Sequence, residues 1–376
     1  MIEIRKGSHI SKLLYVLTVA GEFPVYSISL LGNYQTYIRL IAKATKPCEY
    51  LNIETKERYK TRLLGISGKG RQKSLHFLTG AEKILEWLGF WTLYQSLHGT
   101  IHYRGDENHI GRAHRIAEGL VLAYRAGLQT NVLEMPTLQQ NRLINSFVGK
   151  QCFYMSKQLK GVETIEMNKH AYTRIIGAVF AGGSAYAVYN TRNQVMKWCG
   201  NGEKKAQVNL EEVSRMNARV HRISSAILFG EDAGVALRTL ENAKKTKRLE
   251  YHFDSIYFHI HFIPLDDNGI RQLRLICVEN WREKLLSALF LDETRSYDKE
   301  TLEYDAKVNG KYILTFFDGD IARLLRFQYV ASRMDGEFET LCFPFQAAFL
   351  KAFLGDLVNV KTVKWEVIEN AMEIGG

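Results

Sequence analysis

Two histidines separated by one residue form a possible chemical site in the stretch YHFDSIYFHIHFIPLDD, where His259 and His261 flank Ile260. Because side chains alternate along a β-strand, both imidazoles would lie on one face. Imidazoles on one face are suited to bind a divalent metal, and His252 or Asp254 would supply a third ligand. The alternative is a pair of ordinary strand histidines beside aromatic neighbours.

The His-x-His strand resembles the metal-binding element of HUH endonucleases, which nick single-stranded DNA with a tyrosine nucleophile. Tyr154 and Lys157 have the Tyr-x-x-Lys spacing of replication nickases, so this resemblance implies Tyr154 as the attacking residue. In this chain the tyrosine precedes the histidine pair, which reverses the order found in those enzymes. Short motifs also recur by chance, so we keep a metal-dependent nickase as the alternative function.

An acidic pair follows a predicted strand in Phe316-Phe317-Asp318-Gly319-Asp320. Ligands bind near the carboxyl ends of strands in α/β sheets, so Asp318 and Asp320 are candidates for holding a cation or a small ligand. Acids in this position more often cap the next helix, and we expect a cap here. If these aspartates instead bind a small ligand, the protein would be a ligand-responsive transcriptional regulator, which is the second alternative function.

A cluster of cations lies in the first quarter of the chain, around the tip Ser67-Gly68-Lys69-Gly70-Arg71-Gln72-Lys73. The chain has a net charge of +10, and residues 1–100 hold 14 Lys and Arg against 7 Asp and Glu, a local excess of +7. From Lys56 to Lys73 there are seven cations and one acid, Glu57. A field of this kind attracts polyanions; the alternative is a solvated basic surface without a partner.

Three predicted helices must position these cations. The first has an apolar face and Ser8 or Ser11 as its cap, and a short second helix covers residues 25–31. Asn33 is the predicted cap of the third helix, whose buried face would carry Tyr34, Tyr37, Ile38 and Ile41. A hairpin with strands around Leu64 and Leu75 follows, and Gly68 and Gly70 allow its tight turn.

Three helices followed by a basic hairpin is the order of a winged helix-turn-helix domain, in which the third helix enters the major groove of DNA. Exposed residues of the third helix would contact base edges, and cations on and before the hairpin would contact phosphates. A surface hairpin without a partner and a protein-docking winged helix are the alternatives. The predicted DNA-binding residues are Asn33, Gln35, Thr36, Arg39, Lys43, Lys60, Arg62, Lys69, Arg71 and Lys73.

The rest of the chain alternates between strand and helix patterns, so the predicted fold class is α/β, α+β overall, with a mixed sheet. We predict a winged-helix domain over 1–100, an α/β domain over 101–300 and a C-terminal βαβαβ extension over 301–376. Predicted elements are helix 109–125, hairpin 174–190, helix 208–222, strand 226–229, helix 234–246, a strand pair within 251–278, strand 312–317, helix 321–332, strand 340–343, helix 346–354 and strand 358–365.

Helix 109–125, hairpin 174–190, helix 208–222 and strand 226–229 follow the core order of PD-(D/E)xK nucleases. Those enzymes hold a metal with acids on two neighbouring strands. The matching places here read Ile176-Gly177-Ala178 and Tyr186-Ala187-Val188-Tyr189, which contain no carboxylate. We therefore expect a degenerate, restriction-endonuclease-like core without cleavage activity.

The wing phrase Ser-Gly-Lys-Gly-Arg-x-Lys-Ser, the helix from Asn108 to Leu128 and the Ala-Val-Phe…Ala-Val-Tyr-Asn hairpin together resemble the replication-relaxation family of plasmids and conjugative elements. The resemblance spans about residues 8–230. It implies DNA binding at a transfer or replication origin and a nuclease-like middle domain. It also implies Lys69, Arg71 and Lys73 as wing contacts and Arg39 as a helix contact.

Composition excludes several classes of protein. Five scattered cysteines without a CxxC pair argue against a disulfide framework or a thiolate zinc site. No secretory signal, membrane-length apolar run or GKS/GKT phosphate loop occurs, so we predict a cytoplasmic protein without a membrane, metal or cofactor requirement. The predicted function is a non-catalytic DNA-binding accessory of a bacterial mobile element. Its expected partners are double-stranded DNA, a relaxase or replication protein, and a second copy of itself.

Overall fold

The chain folds into two compact units, each containing helices and mixed or antiparallel sheets. The first comprises residues Met1–Arg125 with Thr130–Met135, and the second Ala126–Gln129 with Pro136–Gly376. This computed structural model describes residues 1–101, 107–136, 138, 148–160, 174–196, 198, 200–218, 220, 222–245, 255–296 and 303–374.

The first unit begins with a strand, a helix and a second short strand. These elements, with the two helical segments that follow, are β1 (Ile2–Ile4), α1 (His9–Ala20), β2 (Glu22–Pro24), a 3₁₀ helix (Val25–Leu31) and α2 (Tyr34–Ala44). Ser8 caps α1 by accepting a hydrogen bond from the Ser11 amide, and Gly21 ends it with a positive φ of 81°. The predicted apolar face of α1 is buried, so packing and capping together fix this helix.

Four more strands complete two three-stranded sheets in the first unit: β3 (Cys48–Asn52), β4 (Arg58–Thr61), β5 (Leu64–Ser67) and β6 (Ser74–Phe77). One sheet has the order β1-β3-β4, and the other has the order β2-β6-β5. In the second sheet β6 is the central strand, antiparallel to both neighbours. The strand that follows α1 is therefore paired with the second strand of the basic hairpin.

Three helices close the first unit: α3 (Glu82–Leu88), α4 (Trp91–His98) and α5 (Glu107–Arg125). The side chain of Arg125 donates to the Leu30 carbonyl at 2.8 Å, and Ser27 donates to Glu118 at 2.5 Å. Both bonds tie α5 to the 3₁₀ helix. The predicted inward residues of α3, Ile84, Leu85 and Leu88, are buried.

The first sheet of the second unit has five strands in the order β11-β10-β9-β8-β7. Its strands β7 to β9 form an antiparallel meander, whereas β9, β10 and β11 are parallel. Its elements are β7 (Cys152–Met155), α6 (Ser156–Lys160), β8 (Gly177–Ala181), β9 (Ser184–Arg192), α7 (Asn201–Asn217), β10 (Ser225–Gly230), α8 (Ala233–Lys245), β11 (His259–Pro264), α9 (Asp267–Ile276) and α10 (Trp281–Leu289).

A four-stranded sheet completes the second unit, with the order β12-β13-β14-β15. The first pair is antiparallel and the others are parallel. Its elements are β12 (Ala306–Val308), β13 (Lys311–Thr315), α11 (Ile321–Ala331), β14 (Glu337–Cys342), α12 (Pro344–Leu354), β15 (Asn359–Thr362) and α13 (Trp365–Ala371). The loop after β13 contacts β11, where the Phe262 amide donates to the Gly319 carbonyl at 2.8 Å.

Three sequence predictions for the second unit need correction. Within the described residues 255–278, the predicted strand pair is one strand, β11, followed by α9, because Asp266 caps that helix by accepting from the Gly269 amide. The helix predicted over 208–222 is α7, which begins at Asn201 and ends at Asn217. The last predicted strand ends at Thr362, and Trp365 begins α13 instead. The fold class is confirmed at the level of a mixed α/β protein. None of the helices in the described ranges is long and apolar enough to cross a membrane.

Candidate nucleic-acid interface

The tip between β5 and β6 carries Lys69, Arg71 and Lys73, and all three are exposed. One 3₁₀ turn spans Gly70–Gln72. Gly68 has a φ of 85°, and a Cβ there would lie 2.5 Å from the Gln72 carbonyl oxygen. Glycine is therefore required at position 68 for the tip to close, and the turn it closes carries the three cations at the surface.

Contacts with the 3₁₀ helix hold the tip in place. The Arg71 guanidinium lies over the Tyr26 ring, with Cζ 4.4 Å from the ring centroid, and its Nη2 donates to the tyrosine hydroxyl at 3.0 Å. The Val25 amide donates to the Lys73 carbonyl at 3.0 Å. Arg71 is thus exposed but stacked, whereas Lys69 and Lys73 have no acidic partner among the described residues.

Helix α2 presents a polar face, as predicted, with Gln35, Arg39 and Lys43 exposed. Its buried residues are Tyr37, Ile41 and Ala44. The prediction that Tyr34 is buried was wrong, since 48% of this residue is exposed. Tyr34 is the first residue of the helix, and that turn packs less completely than the turns around Tyr37 and Ile41.

Asn33 caps α2 as predicted. Its Oδ1 accepts from the Thr36 amide at 3.1 Å and from the Thr36 hydroxyl at 3.2 Å. Both residues were also predicted to contact DNA. The cap occupies the side-chain Oδ1 of Asn33 and the half-buried Thr36 hydroxyl, so these two atoms already have a partner at the start of the helix.

Lys60 and Arg62 are exposed but lie outside the β5–β6 tip. Lys60 belongs to β4 and is opposite Glu49 of β3 in the register of the other three-stranded sheet. Arg62 lies between β4 and β5. The ten predicted residues therefore divide into a set on α2, a set on the β5–β6 tip, and these two cations on a separate strand and its connection.

The histidine pair lies on β11 with both rings on one face, as the spacing predicted; the ring centroids are 6.3 Å apart. The rings meet carboxylates of the loop after β13. Nδ1 of His259 is 2.6 Å from an Asp320 oxygen, and Nδ1 of His261 is 3.3 Å from Asp318 Oδ2. No local sequence pattern indicates these pairings, because the partners are far apart in the chain.

Asp320 confirms the helix-cap prediction. Its Oδ1 accepts from the amides of Ala322 and Arg323 at the start of α11, and also from the Ile260 amide at 3.0 Å. Burial opposes ionisation of this carboxyl, but the hydrogen bond and charge of His259 outweigh burial and lower the pKa of Asp320. For His261, burial lowers the pKa, and the nearby Asp318 and Asp320 carboxylates outweigh it, so the pKa is raised.

Tyr154 and the histidine pair of the nickase alternative lie far apart in the second unit. In the part of the chain that the structure describes, no group of three or more His, Cys, Asp or Glu side chains is placed to hold a metal ion. His252 and Asp254, the predicted third ligands, lie outside the described residues. Tyr154 is buried on β7 and donates to the Pro136 carbonyl at 2.5 Å. Strands β7 and β11 are opposite edges of the sheet, roughly 19 Å apart at the usual strand spacing.

A buried ionic network next to this loop was also missed by sequence reasoning. Arg323 is 3% exposed, and it donates to Asp305 and to Glu303, each at 2.7 Å. Arg282 lies 3.2 Å from Asp305. The Thr315 amide and hydroxyl both donate to Asp305 at 2.7 Å. Burial alone would raise the pKa of Asp305, but the two guanidinium groups and Thr315 lower it. Every charge in this network has a partner.

The predicted metal positions of a nuclease core are apolar or aromatic in the second unit. Residues 176–178 and 186–189 are buried and carry no carboxylate. Comparisons of the chain with protein-family models, with curated proteins and with solved structures found no match to any of the three. Function must therefore be argued from the geometry of the chain itself.

Proposed function

We propose that the first unit binds double-stranded DNA, with α2 in the major groove and the β5–β6 tip along the phosphate backbone. The observation that carries this proposal is the exposure of Lys69, Arg71 and Lys73 on one glycine-closed turn. Phosphate contacts position a protein on DNA, and base contacts from a helix give sequence preference.

The order of elements supports a winged helix-turn-helix module. Helix α1, strand β2, the 3₁₀ helix and α2 follow one another, and β2 pairs with the hairpin strand β6. Such pairing anchors the hairpin beside the helices that precede it. The β3–β4 hairpin is an insertion between α2 and β5, and it pairs with β1 in its own sheet.

Charge supports phosphate rather than base contact at the tip. Lys69 and Lys73 are flexible cations in solvent, and Arg71 is fixed against Tyr26 by stacking and a hydrogen bond. Contacts of this kind release counterions from DNA and carry little sequence information. On α2, Gln35 and Arg39 are exposed in the first two turns, which is where a recognition helix meets base edges.

We propose a non-catalytic role for the second unit. The β7–β8–β9 meander, helix α7 and parallel strand β10 follow the order of a nuclease-like core, but its metal positions hold no acids. A scaffold of this kind would dock a relaxase, a replication protein or a second copy of the chain. The protein would then act as a DNA-binding accessory of a mobile element, as the resemblance to the replication-relaxation family implies.

Fluorescence anisotropy with a labelled duplex tests the proposal. Changing Lys69, Arg71 and Lys73 together to alanine should weaken binding to every duplex sequence by tenfold or more at about 0.1 M salt, because three phosphate contacts are lost. Lys204, Lys205 and Lys364 are exposed cations of the second unit, and their triple alanine variant is the matched control. Equal affinity of both triple variants would overturn the proposal.

Incubation of supercoiled and single-stranded DNA with Mg²⁺ or Mn²⁺ tests the non-catalytic role. The proposal expects binding without cleavage. Cleavage that is lost on His259→Ala would instead favour the nickase alternative.

A further inference from the structure

A cleft in the second unit lies where β10 and β11 end and α8 and α9 begin. Its volume is ≈ 160 Å³. Its walls include four phenylalanines: Phe262, Phe316, Phe345 and Phe349. Apolar cavities of about 150 Å³ bind molecules the size of benzene, and the carboxyl ends of parallel strands are where α/β proteins place their ligands. Size, lining and position therefore all suit a small ligand with an apolar body.

Two glutamine side chains line the cleft. Gln346 bonds in both directions, since its Nε2 donates to the Phe316 carbonyl at 3.0 Å and its Oε1 accepts from the Phe343 amide at 2.9 Å. Gln272 is 0% exposed, and its Nε2 donates to the Phe262 carbonyl at 3.1 Å. Its Oε1 is buried and has no hydrogen-bond partner within the described residues. One buried acceptor beside the cleft therefore lacks a donor.

Two carboxylates border the same cleft. Asp266 accepts from the Gly269 amide at 2.9 Å and Asp232 accepts from the Val235 amide at 3.2 Å, and both aspartates are exposed. Each helix start contributes about half a positive charge, whereas each carboxylate contributes a full negative one. The rim of the cleft therefore stays negative after the helix dipoles are included.

We propose that this cleft binds a small protonated amine with a compact aromatic or branched apolar body. The four phenylalanines would enclose the body, because apolar surface leaves water favourably and aromatic faces attract cations. The rim carboxylates of Asp232 and Asp266 would accept the N–H donors of the ammonium group and provide the charge preference. This site is separate from the DNA-binding residues and does not depend on them.

Three probes of one shape test the charge preference: benzylamine, benzyl alcohol and benzoate. Binding of each to the full chain is measured by calorimetry. Benzylamine should bind most tightly, benzyl alcohol about fivefold more weakly, and benzoate weakest, since a partly exposed ion pair is worth up to about fivefold in affinity. Equal affinities for the three probes, or binding of none of them, would overturn the proposal.

Two variants locate the site. Asp266→Asn keeps the helix cap but removes the charge. It should therefore weaken the affinity for benzylamine by about threefold and leave the affinity for benzyl alcohol unchanged. Asp356→Asn, at an exposed aspartate outside the cleft, is the control and should change neither. Ala236→Leu fills the cleft from α8 and should abolish binding of both probes. Amine binding that survives Ala236→Leu in a folded protein would place the ligand elsewhere and contradict the proposal.

Discussion

The cations of the β5–β6 tip and the buried Arg323 of the second unit are placed in opposite ways. On the β5–β6 tip, Lys69 and Lys73 are exposed and have no acidic partner in the described ranges. In the second unit, Arg323 is 3% exposed and bonded to Asp305 and Glu303. A buried charge must be paired to be tolerated, while an exposed charge can stay unpaired at little cost. Arg323 therefore has its partners within the fold, whereas the unpaired cations of the tip remain available to a partner.

The comparison extends to the histidines. His76 of β6 and His261 of β11 are both buried, but their surroundings differ. Burial lowers the pKa of His76, whereas the carboxylates of Asp318 and Asp320 overcome burial and raise the pKa of His261. Burial thus favours the neutral form of His76 in the first unit, whereas the nearby carboxylates favour the charged form of His261 in the second unit.

The largest expected effect is on the buried network. Asp305→Ala removes a carboxylate that is 1% exposed and leaves Arg323 and Arg282 without their shared partner. We expect a loss of about 3–5 kcal/mol in the free energy of unfolding, because one side of a buried ion pair is left uncompensated. Urea denaturation measures this. A loss below about 1 kcal/mol would contradict the structural role of the network.

A pH titration sharpens the contrast between the histidines. The folded-state pKa of His76 is lowered, so the unfolded state binds more protons and β6 should lose stability as pH falls below about 6.5. The folded-state pKa of His261 is raised, so its contribution should be full below about 6.5 and be lost as pH rises through the folded value.

Hydrogen exchange at β6 and β11, corrected for intrinsic rates, measures this contrast. From pH 8 to pH 5.5, protection should fall at β6 and rise at β11. His76→Gln and His261→Gln should each remove the trend in their own strand only. Parallel trends in both strands would show that these histidines do not set the local stability.

A smaller effect separates helix capping from DNA recognition at Asn33. Asn33→Ala removes the cap of α2 and should cost about 1 kcal/mol in stability. Asn33→Asp keeps the cap, so stability should stay unchanged, while its negative charge near phosphates should weaken DNA binding. Thermal unfolding and anisotropy on both variants test this. Equal DNA affinity of Asn33→Asp and the native protein would show that this end of α2 does not lie near the DNA phosphates.

The smallest expected effect is at Glu283, an exposed acid of the second unit. Glu283 is 69% exposed and lies 2.6 Å from Arg295, which is 12% exposed and also pairs with Asp292. Glu283→Ala should cost less than about 1 kcal/mol, because its carboxylate is solvated and Arg295 keeps Asp292 as an acidic partner. Urea denaturation alongside Asp305→Ala gives the matched comparison. A cost equal to that of Asp305→Ala would mean that burial does not decide the strength of these pairs.

Local features of the fold were readable from the sequence. The caps at Ser8 and Asn33, the glycine turn at Gly68 and the common face of His259 and His261 each depend on residues within a few positions. Capping, positive φ and strand alternation act over that range. Strand β10 and helix α8 were also predicted within one residue of their observed bounds.

Contacts between residues that are distant in the chain could not be predicted from the sequence. The pairing of β1 with β3, and the contacts of His259 with Asp320 and of Arg323 with Asp305, join residues that only the folded topology brings together. The phenylalanine-lined cleft of the second unit was missed for the same reason, since its phenylalanines come from several separate elements. The sequence around any one of these residues does not indicate which distant residue it contacts.

The salt dependence of duplex binding tests the central claim most directly. A plot of log affinity against log salt should have a slope that flattens by about two to three units when Lys69, Arg71 and Lys73 are changed together to alanine, since each phosphate contact contributes about 0.9. The control triple at Lys204, Lys205 and Lys364 should keep the native slope. Identical slopes for all three proteins would contradict the claim that the β5–β6 tip lies against DNA.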